Sequence, residues 1–332
     1  MLLMALWYRV VHRVMVTPVS GSGPSHGYVV VRQPDRSSSA AGPAGDAAGT
    51  DAVNLVDVLP WARRLGRLMP VPAAAVAARC LRYWRTDPRY LAQLLGLGLV
   101  PALLVVVAAM GPAAGTSVVE HLAWGGAPAG LLALPVVLGL LTGWSLHDDL
   151  GYDSTARWSH LSAALRGRDD LLGRIVAAAL WQIPVIVVST LLVAGWTGYW
   201  RWAPVVLGTA LALLGCAYGW SAVTSVLMPY EVNAPGDSPL RSRTSGTALL
   251  ASLVQMAGWI VLATVTAPVW GAGILVVLAG SWAWGTAVAL LGLVWGLAGT
   301  CLGVHRAGVL LERRGARLLA TIRSWPGHDQ PG

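Results

Sequence analysis

A polar segment with paired aspartates and several arginines, residues 147–174, interrupts a sequence that is otherwise largely apolar. The run RGRDDLLGR at 166–174 places two adjacent aspartates between arginines, and the run HDDLGYD at 147–153 adds three more aspartates. Paired carboxylates can bind a divalent metal ion or act as general acid and base. They can also form ion pairs with arginines in a connecting loop. Which chemistry applies depends on the elements that position the segment.

The composition places the chain in the membrane class. Of its 332 residues, 55% are apolar and 11% are charged, and its mean hydropathy is +0.61, values typical of integral membrane proteins. All 23 basic residues are arginine, and without lysine the chain cannot form a nucleotide-binding P-loop. We therefore expect any ATP-driven work to use the nucleotide site of a partner, and we expect no nucleic-acid partner and no cofactor.

Three cysteines are scattered through apolar stretches without CxxC spacing, which predicts buried thiols rather than a zinc site or a disulfide framework. They are Cys80, Cys216 and Cys301.

Apolar stretches of spanning length predict an all-α, polytopic membrane domain over residues 91–305. Six such stretches occur, each near the roughly 20 residues that a bilayer core requires. They lie at 91–110, 126–146, 174–195, 203–228, 247–268, and in a last stretch ending near 304. Pro268 and several glycines leave the division of 247–304 open, between two long spans and spans with a re-entrant hairpin.

Arginines are concentrated on one side of these spans, and this bias predicts the orientation. They cluster before the first span, after the second, after the fourth and after the last, whereas only Arg201 lies in a loop of the opposite set. By the positive-inside rule, both termini are cytoplasmic and the number of spans is even. We expect a multi-pass protein of the cell (inner) membrane.

The parts outside the spans have three different patterns. Residues 1–58 resemble the cytoplasmic end of a preceding helix followed by a flexible linker, and residues 306–332 form a basic cytoplasmic tail. Residues 59–90 predict an amphipathic cytoplasmic helix lying in the membrane interface, with Val76, Cys80, Leu81 and Trp84 toward the headgroup boundary. The opposite face would direct four arginines at lipid phosphates: Arg79, Arg82, Arg85 and Arg89.

Ionisable groups are missing from the middle of every predicted span, which disfavours a proton-driven carrier or an ion pump. Gln182 and Gln255 are the strongest polar groups at depth. Interhelical hydrogen bonding is their favoured role, and contact with a transported substrate is the alternative. Glycine stripes in the second, fourth and last spans predict close helix packing, either within the chain or in a dimer.

One interpretation of residues 147–173 is enzymatic. Membrane enzymes that transfer phospho-alcohols bind metal through an aspartate motif, which Asp149, Asp153, Arg157 and Asp170 match loosely. Ser154 stands where the motif has glycine, and no last aspartate follows, so we disfavour this interpretation. A second interpretation is a connecting loop with surface ion pairs, but a loop of this length with its own helix, near 155–165, is usually functional.

A third interpretation comes from resemblance. The runs GYDSTARWSHLSAALRGRDDLLGRIVAAALWQIPV and GCAYGWSAVTSVLMPYEVNAPGDSPL resemble the permeases of actinobacterial type 2 ABC exporters. The upstream run ARRLGRLMPVPAAAVAARCLRYWRTDPRYLAQLL is similar to that family's entry to its first span. The resemblance covers about residues 60–325, and related chains often have two such halves.

The resemblance implies a membrane subunit that is not itself an enzyme and that couples to a cytoplasmic ABC ATPase subunit. It further implies a dimer, or pairing with a second permease half. The implied ATPase-coupling residues are Asp153, Arg157, Trp158, Arg166, Arg168, Asp169, Asp170 and Arg174. A rigid loop, interpreted as a connector or as an ATPase contact, contains Pro229, Tyr230, Pro235, Gly236, Asp237 and Pro239. The alternative functions are a metal-dependent lipid headgroup transferase and a non-transporting membrane scaffold.

Overall fold

The computed structural model of the protein describes residues 60–109, 126–233 and 246–325. These residues form helices and connecting turns, and no strand occurs among them. The predicted segment 1–58 lies outside the described residues, as do Pro235, Gly236, Asp237 and Pro239 of the predicted rigid loop. The all-α prediction is confirmed for the described residues.

Eleven α-helices follow one another in the described part of the chain. Before and within the polar segment these are α1 (Pro60–Leu65), α2 (Val71–Thr86), α3 (Pro88–Ala109), α4 (Ala133–Trp144), α5 (Asp149–Tyr152) and α6 (Trp158–Ser162). After it they are α7 (Gly167–Thr197), α8 (Ala203–Leu227), α9 (Gly246–Val265), α10 (Ala267–Leu278) and α11 (Gly285–Arg323). Short 3-10 turns at Ala129–Leu132, Ser154–Arg157, Trp200–Trp202 and Trp282–Trp284 precede α4, α6, α8 and α11.

Four helical segments among the described residues are long and apolar enough to cross a membrane, and a bent pair makes up to five. The four are Pro88–Val107, Gly167–Thr197, Trp200–Leu227 and Trp282–Arg323. The predicted span at 126–146 corresponds to a shorter apolar helical stretch, Ala129–Trp144, so the predicted count of six is not confirmed. The last predicted apolar stretch, ending near 304, lies within α11, which continues to Arg323.

The bend between α9 and α10 lies at the position where the sequence left the spans undivided. The two helices meet at 55°, and Pro268, in the first turn of α10, has no N–H to continue the ladder of α9. Trp270 Nε1 donates to the Ala263 carbonyl at 2.8 Å, and Trp295 Nε1 donates to the Val265 carbonyl at 3.0 Å. These indoles satisfy carbonyls at the end of α9, as a chain in lipid requires.

Helix α8 lies at the centre of the bundle and is enclosed by its neighbours. Glycines bring its backbone against α11: a Cβ on Gly215 would lie 2.2 Å from the carbonyl oxygen of Gly296, and one on Gly303 would lie 2.2 Å from Cα of Gly219. On another face, a Cβ on Gly139 of α4 would lie 2.4 Å from the carbonyl oxygen of Ala210. The predicted glycine stripes therefore serve contacts within the chain.

Helix α2 packs against α7 through small residues. Ala73, Ala74 and Ala77 are fully buried, and a Cβ on Gly173 of α7 would meet the Ala73 carbonyl oxygen at 2.5 Å. The prediction that this apolar face lies in the headgroup boundary is therefore wrong, because the face is covered by protein. The apolar face that suggested an interfacial helix fits a helix–helix contact equally well.

Candidate functional site: a buried arginine–aspartate cluster

Arg174, in the first turns of α7, donates hydrogen bonds to three aspartates. Its Nη1 donates to Asp149 Oδ2 at 2.7 Å and to the Asp149 carbonyl at 3.0 Å. Its Nε donates to Asp170 Oδ1 at 2.9 Å, and its Nη2 donates to Asp153 Oδ2. Asp170 and Arg174 are one helical turn apart on α7, a spacing that places both side chains on one face.

Two further arginines complete the group. Arg157 Nη1 lies 3.3 Å from Asp170 Oδ2 and 3.8 Å from Asp153 Oδ2, and Arg79 of α2 donates to Asp153 Oδ1 at 2.9 Å. We call this set the Arg174 cluster, and it consists of Arg79, Asp149, Asp153, Arg157, Asp170 and Arg174. Three positive and three negative side chains balance formally, as buried charges require.

Neighbouring polar groups saturate the remaining carboxylate positions. Tyr90 of α3 donates its hydroxyl to Asp149 Oδ1 at 2.6 Å. His160 Nδ1 lies 3.1 Å from Asp170 Oδ2. The cluster thereby joins α2, α3, the segment 149–160 and α7.

Burial and charge act against each other on the ionisation of the cluster. Burial alone would raise the pKa of Asp153, but the charges of Arg174 and Arg79 outweigh it and lower that pKa below the usual value. Burial lowers the pKa of Arg157, and the charge of Asp170 offsets part of this effect. Asp153 is thus held ionised at neutral pH and is poorly suited to act as a general acid.

The same geometry disfavours a metal centre at these carboxylates. A divalent ion would have to displace the guanidinium of Arg174, which already contacts Asp149, Asp153 and Asp170. Among the described residues, no group of three or more His, Cys, Asp or Glu side chains is placed to hold a metal ion.

A second buried group, beside the cluster, is held neutral. His147 Nδ1 lies 2.9 Å from the Trp144 carbonyl, and its Nε2 lies 2.5 Å from the Tyr230 hydroxyl. A carbonyl can only accept, so Nδ1 carries the proton and Nε2 accepts from Tyr230. Burial lowers the pKa of His147 to about 4. Burial also raises the pKa of Asp148 well above its usual value.

The segment after α8 is attached to the same end of the bundle. Besides the Tyr230–His147 contact, Arg89 Nη1 donates to the Asn233 carbonyl at 3.1 Å, and Arg89 Nη2 donates to the Tyr152 carbonyl at 3.2 Å. Arg89 also pairs with Asp87 at 2.7 Å. The described part of the predicted rigid loop, with Pro229 and Tyr230, therefore packs against the polar segment 147–174.

The four arginines predicted to share one lipid-facing side do not do so. Arg79 and Arg89 turn toward the protein and form the ion pairs given above, whereas Arg82 and Arg85 are exposed. The prediction is wrong for Arg79 and Arg89. The reason is that carboxylates of the chain itself, Asp153 for Arg79 and the neighbouring Asp87 for Arg89, take the place of lipid phosphates.

The run RGRDDLLGR divides in the same way. Arg166 and Arg168 are exposed and Asp169 is half-buried, whereas Asp170 and Arg174 are 2% and 3% exposed. The interpretation of the segment as a connecting loop with surface ion pairs is therefore wrong for Asp170 and Arg174, whose ion pair is buried. The predicted helix near 155–165 is also shorter, since a 3-10 turn leads into α6, which ends at Ser162.

Helix α6 presents apolar side chains to its surroundings. Trp158 is 60% exposed and Leu161 is 40% exposed, three residues apart on a short helix. Their neighbours in the chain, Arg157 and His160, both contact Asp170. The exposed pair is thus attached to the Arg174 cluster.

The two glutamines at depth form interhelical hydrogen bonds. Gln182 Oε1 accepts from the Tyr218 hydroxyl at 2.6 Å, which joins α7 to α8. Gln255 Oε1 accepts from Trp144 Nε1 at 3.0 Å, which joins α9 to α4.

Sequence reasoning missed Arg79 and Tyr90 as partners of the aspartates, and it missed the His147–Tyr230 contact. The spacings of Asp153 to Arg157 and of Asp170 to Arg174 were the available local signals. No local signal links Arg79 to Asp153, because 74 positions separate them.

In comparisons with known protein families, with curated proteins and with solved structures, nothing matches this chain.

Proposed function

We propose that the chain is the membrane-spanning permease subunit of an ATP-driven ABC exporter in the cell membrane. In this proposal it has six spans and two cytoplasmic termini, and it works as a dimer or with a second permease half. The spanning helices would alternate between inward-open and outward-open arrangements as an ATPase subunit binds and hydrolyses nucleotide. The resemblance of the two loop runs supports this function.

The observation that carries the proposal is the attachment of exposed apolar side chains to a buried charge cluster. Trp158 and Leu161 offer a small contact surface on the side assigned to the cytoplasm by the arginine distribution. Behind that surface, Arg157 and His160 contact Asp170 of α7. A push on α6 would therefore reach α7 through ion pairs.

A second connection extends the same path to the last helix. The backbone N–H of Gly167 donates to Glu312 Oε1 of α11 at 3.1 Å, and a Cβ on Gly167 would lie 2.4 Å from the Gly308 carbonyl oxygen. Motion at α6 would therefore reach both α7 and α11, and the cytoplasmic half of α11 would move with it.

Co-purification tests this proposal. We expect the chain, extracted from its native membrane in mild detergent, to retain an ATP-hydrolysing subunit. The variant Trp158→Ala should lose that subunit, because it removes the exposed side chain proposed to contact it. The fold should be retained, since Trp158 is not part of the core. Trp282→Ala is the matched control, since Trp282 is 63% exposed but lies in the 3-10 turn before α11, at the opposite end of the bundle.

Charge reversal gives a second readout on the same preparation. Arg166→Glu together with Arg168→Glu should lower ATP hydrolysis without unfolding the chain, because both side chains are exposed. The exporter proposal would be contradicted if the extracted chain carried no ATPase subunit and the charge-reversal variants did not change ATP hydrolysis. Metal-dependent headgroup transfer that is lost in Asp149→Asn would instead support the transferase.

A further inference from the structure

A groove of about 410 Å³ lies between the helices that precede the first span and the spans themselves. Trp61 of α1 and Leu81, Trp84 and Arg85 of α2 line one part of it. Leu94 of α3 and Leu180 and Trp181 of α7 line the other part. A volume of this size is within the usual range for small-molecule sites, roughly 300–1,000 Å³.

The groove has an apolar end and a cationic end. Leu94 and Leu180 belong to helices that can cross the membrane, and Trp84 and Trp181 pack edge to face with centroids 5.0 Å apart. At the other end, the guanidinium of Arg85 lies 6.0 Å from the centroid of the Trp61 ring. The guanidinium of Arg64 lies 5.4 Å from the same centroid.

The cationic end is not neutralised by the chain as far as the structure describes it. Within residues 60–109, 126–233 and 246–325, the ion pairs of arginine involve Arg79, Arg89, Arg157 and Arg174, and neither Arg64 nor Arg85 has a carboxylate partner. Two arginines without a carboxylate, beside a tryptophan at the boundary of the spans, attract an anionic headgroup.

We propose that this groove binds one anionic glycerophospholipid of the cytoplasmic leaflet. One acyl chain lies along Leu94, Leu180 and Trp181, and the phosphate lies between Arg85 and Arg64. The polarity of the groove matches this occupant from end to end. The site rests on the proposed orientation in the membrane, with the arginine-rich side cytoplasmic, and not on coupling to an ATPase.

Native mass spectrometry of the full, delipidated chain tests the site, with dioleoyl phosphatidylglycerol and dioleoyl phosphatidylcholine as probes. The wild-type chain should retain phosphatidylglycerol in preference to phosphatidylcholine. Arg85→Gln should weaken phosphatidylglycerol retention about fivefold, the effect expected for one arginine near an anionic surface. Arg82→Gln, three residues away on α2 and also exposed, should retain it as wild type does.

A groove-filling variant, Leu81→Trp, tests the acyl-chain position and should reduce retention of the lipid. If it does not fold, Leu94→Gln makes the same test from α3. The proposal is overturned by equal retention of both lipids, by equal losses in Arg85→Gln and Arg82→Gln, or by unchanged retention when the groove is filled. Failure of the lipid-retention test would not bear on the co-purification test of the exporter proposal.

Discussion

Arg174 connects aspartates that come from three positions of the chain. Asp149 lies in α5, Asp153 lies just after it, and Asp170 lies one turn before Arg174 on α7. Without the guanidinium, three buried carboxylates would face one another. Breaking a buried pair by removing one partner typically costs about 3–5 kcal/mol.

We therefore expect Arg174→Gln to be strongly destabilising. Its free energy of unfolding should fall by about 3 kcal/mol or more, because Asp149, Asp153 and Asp170 lose their shared donor. Arg166→Gln is the control, since Arg166 is exposed and its loss should change stability by about 0.5 kcal/mol or less. Thermal unfolding in detergent measures both, and equal melting temperatures would contradict a structural role for the cluster.

His147 gives a prediction about pH. Its pKa is about 4 in the fold and about 6.5 when unfolded, so between these values the unfolded state binds more protons. Its contribution to stability is therefore lost as the pH falls from about 6.5 to 4, by about 2–3 kcal/mol. The pKa of Asp148 is raised, so its effect on the pH dependence of stability has the opposite sign to that of His147. The test therefore compares the wild-type chain with a variant of His147 alone.

His147→Gln should unfold with a weaker acid dependence than wild type across pH 4–6.5. Asp153, whose pKa is lowered, loses its contribution only below its ordinary pKa of about 3.9, outside that window. The slope of melting temperature against pH provides the measurement. An unchanged slope in His147→Gln would show that His147 is not buried as a neutral ring.

At the scale of elements, glycines determine how α8 meets its neighbours. The stripes on the second, fourth and last spans were visible in the sequence and predicted close approach. Their assignment to contacts within the chain required the structure, because a glycine stripe does not specify its partner. Gly215 and Gly219 face α11, and Gly139 faces Ala210.

Gly215→Ala should destabilise the bundle. The added methyl group would lie 2.2 Å from the Gly296 carbonyl oxygen, and overpacking of this kind costs about 1–3 kcal/mol. Gly271→Ala is the matched control on α10, where nothing lies within 4 Å, and it should be neutral or slightly stabilising. Melting temperatures that do not separate the two variants would argue against the α8–α11 contact.

Helix α2 illustrates the limit of periodicity. The sequence indicates one apolar and one basic face, which fits a helix in the membrane interface. It contains no sign that α7 covers the apolar face, or that Asp153 takes Arg79 away from lipid. Both contacts bring together residues far apart in the chain, and single-sequence patterns do not carry that information.

At the scale of the whole molecule, the membrane class followed from composition alone. The precise span count did not, because Ala129–Trp144 is short and α9 and α10 are bent by 55°. The Arg174 cluster lies at the start of α7, and Tyr230, which contacts His147, follows the end of α8. The turns before α8 and α11 lie together at the other end, where Gly285 approaches Pro204 and Val205.

This arrangement predicts opposite accessibility for two introduced cysteines. Ser159→Cys on α6 should react with a membrane-impermeant maleimide from the cytoplasmic side, and Ala283→Cys should react from the other side. Cys301 is replaced by serine in the background because it is exposed, whereas Cys80 and Cys216 are buried. Labelling of both cysteines from one side would contradict the topology.

Site-specific photo-crosslinking from Trp158 tests the proposed coupling most directly. With a photoreactive amino acid at position 158 in native membranes, we expect a crosslink to an ATP-binding subunit, with a yield that changes when nucleotide is bound. The same group at Trp282, at the opposite end, should give no such product. A crosslink from position 158 to lipid alone, or one that ignores nucleotide, would contradict the coupling.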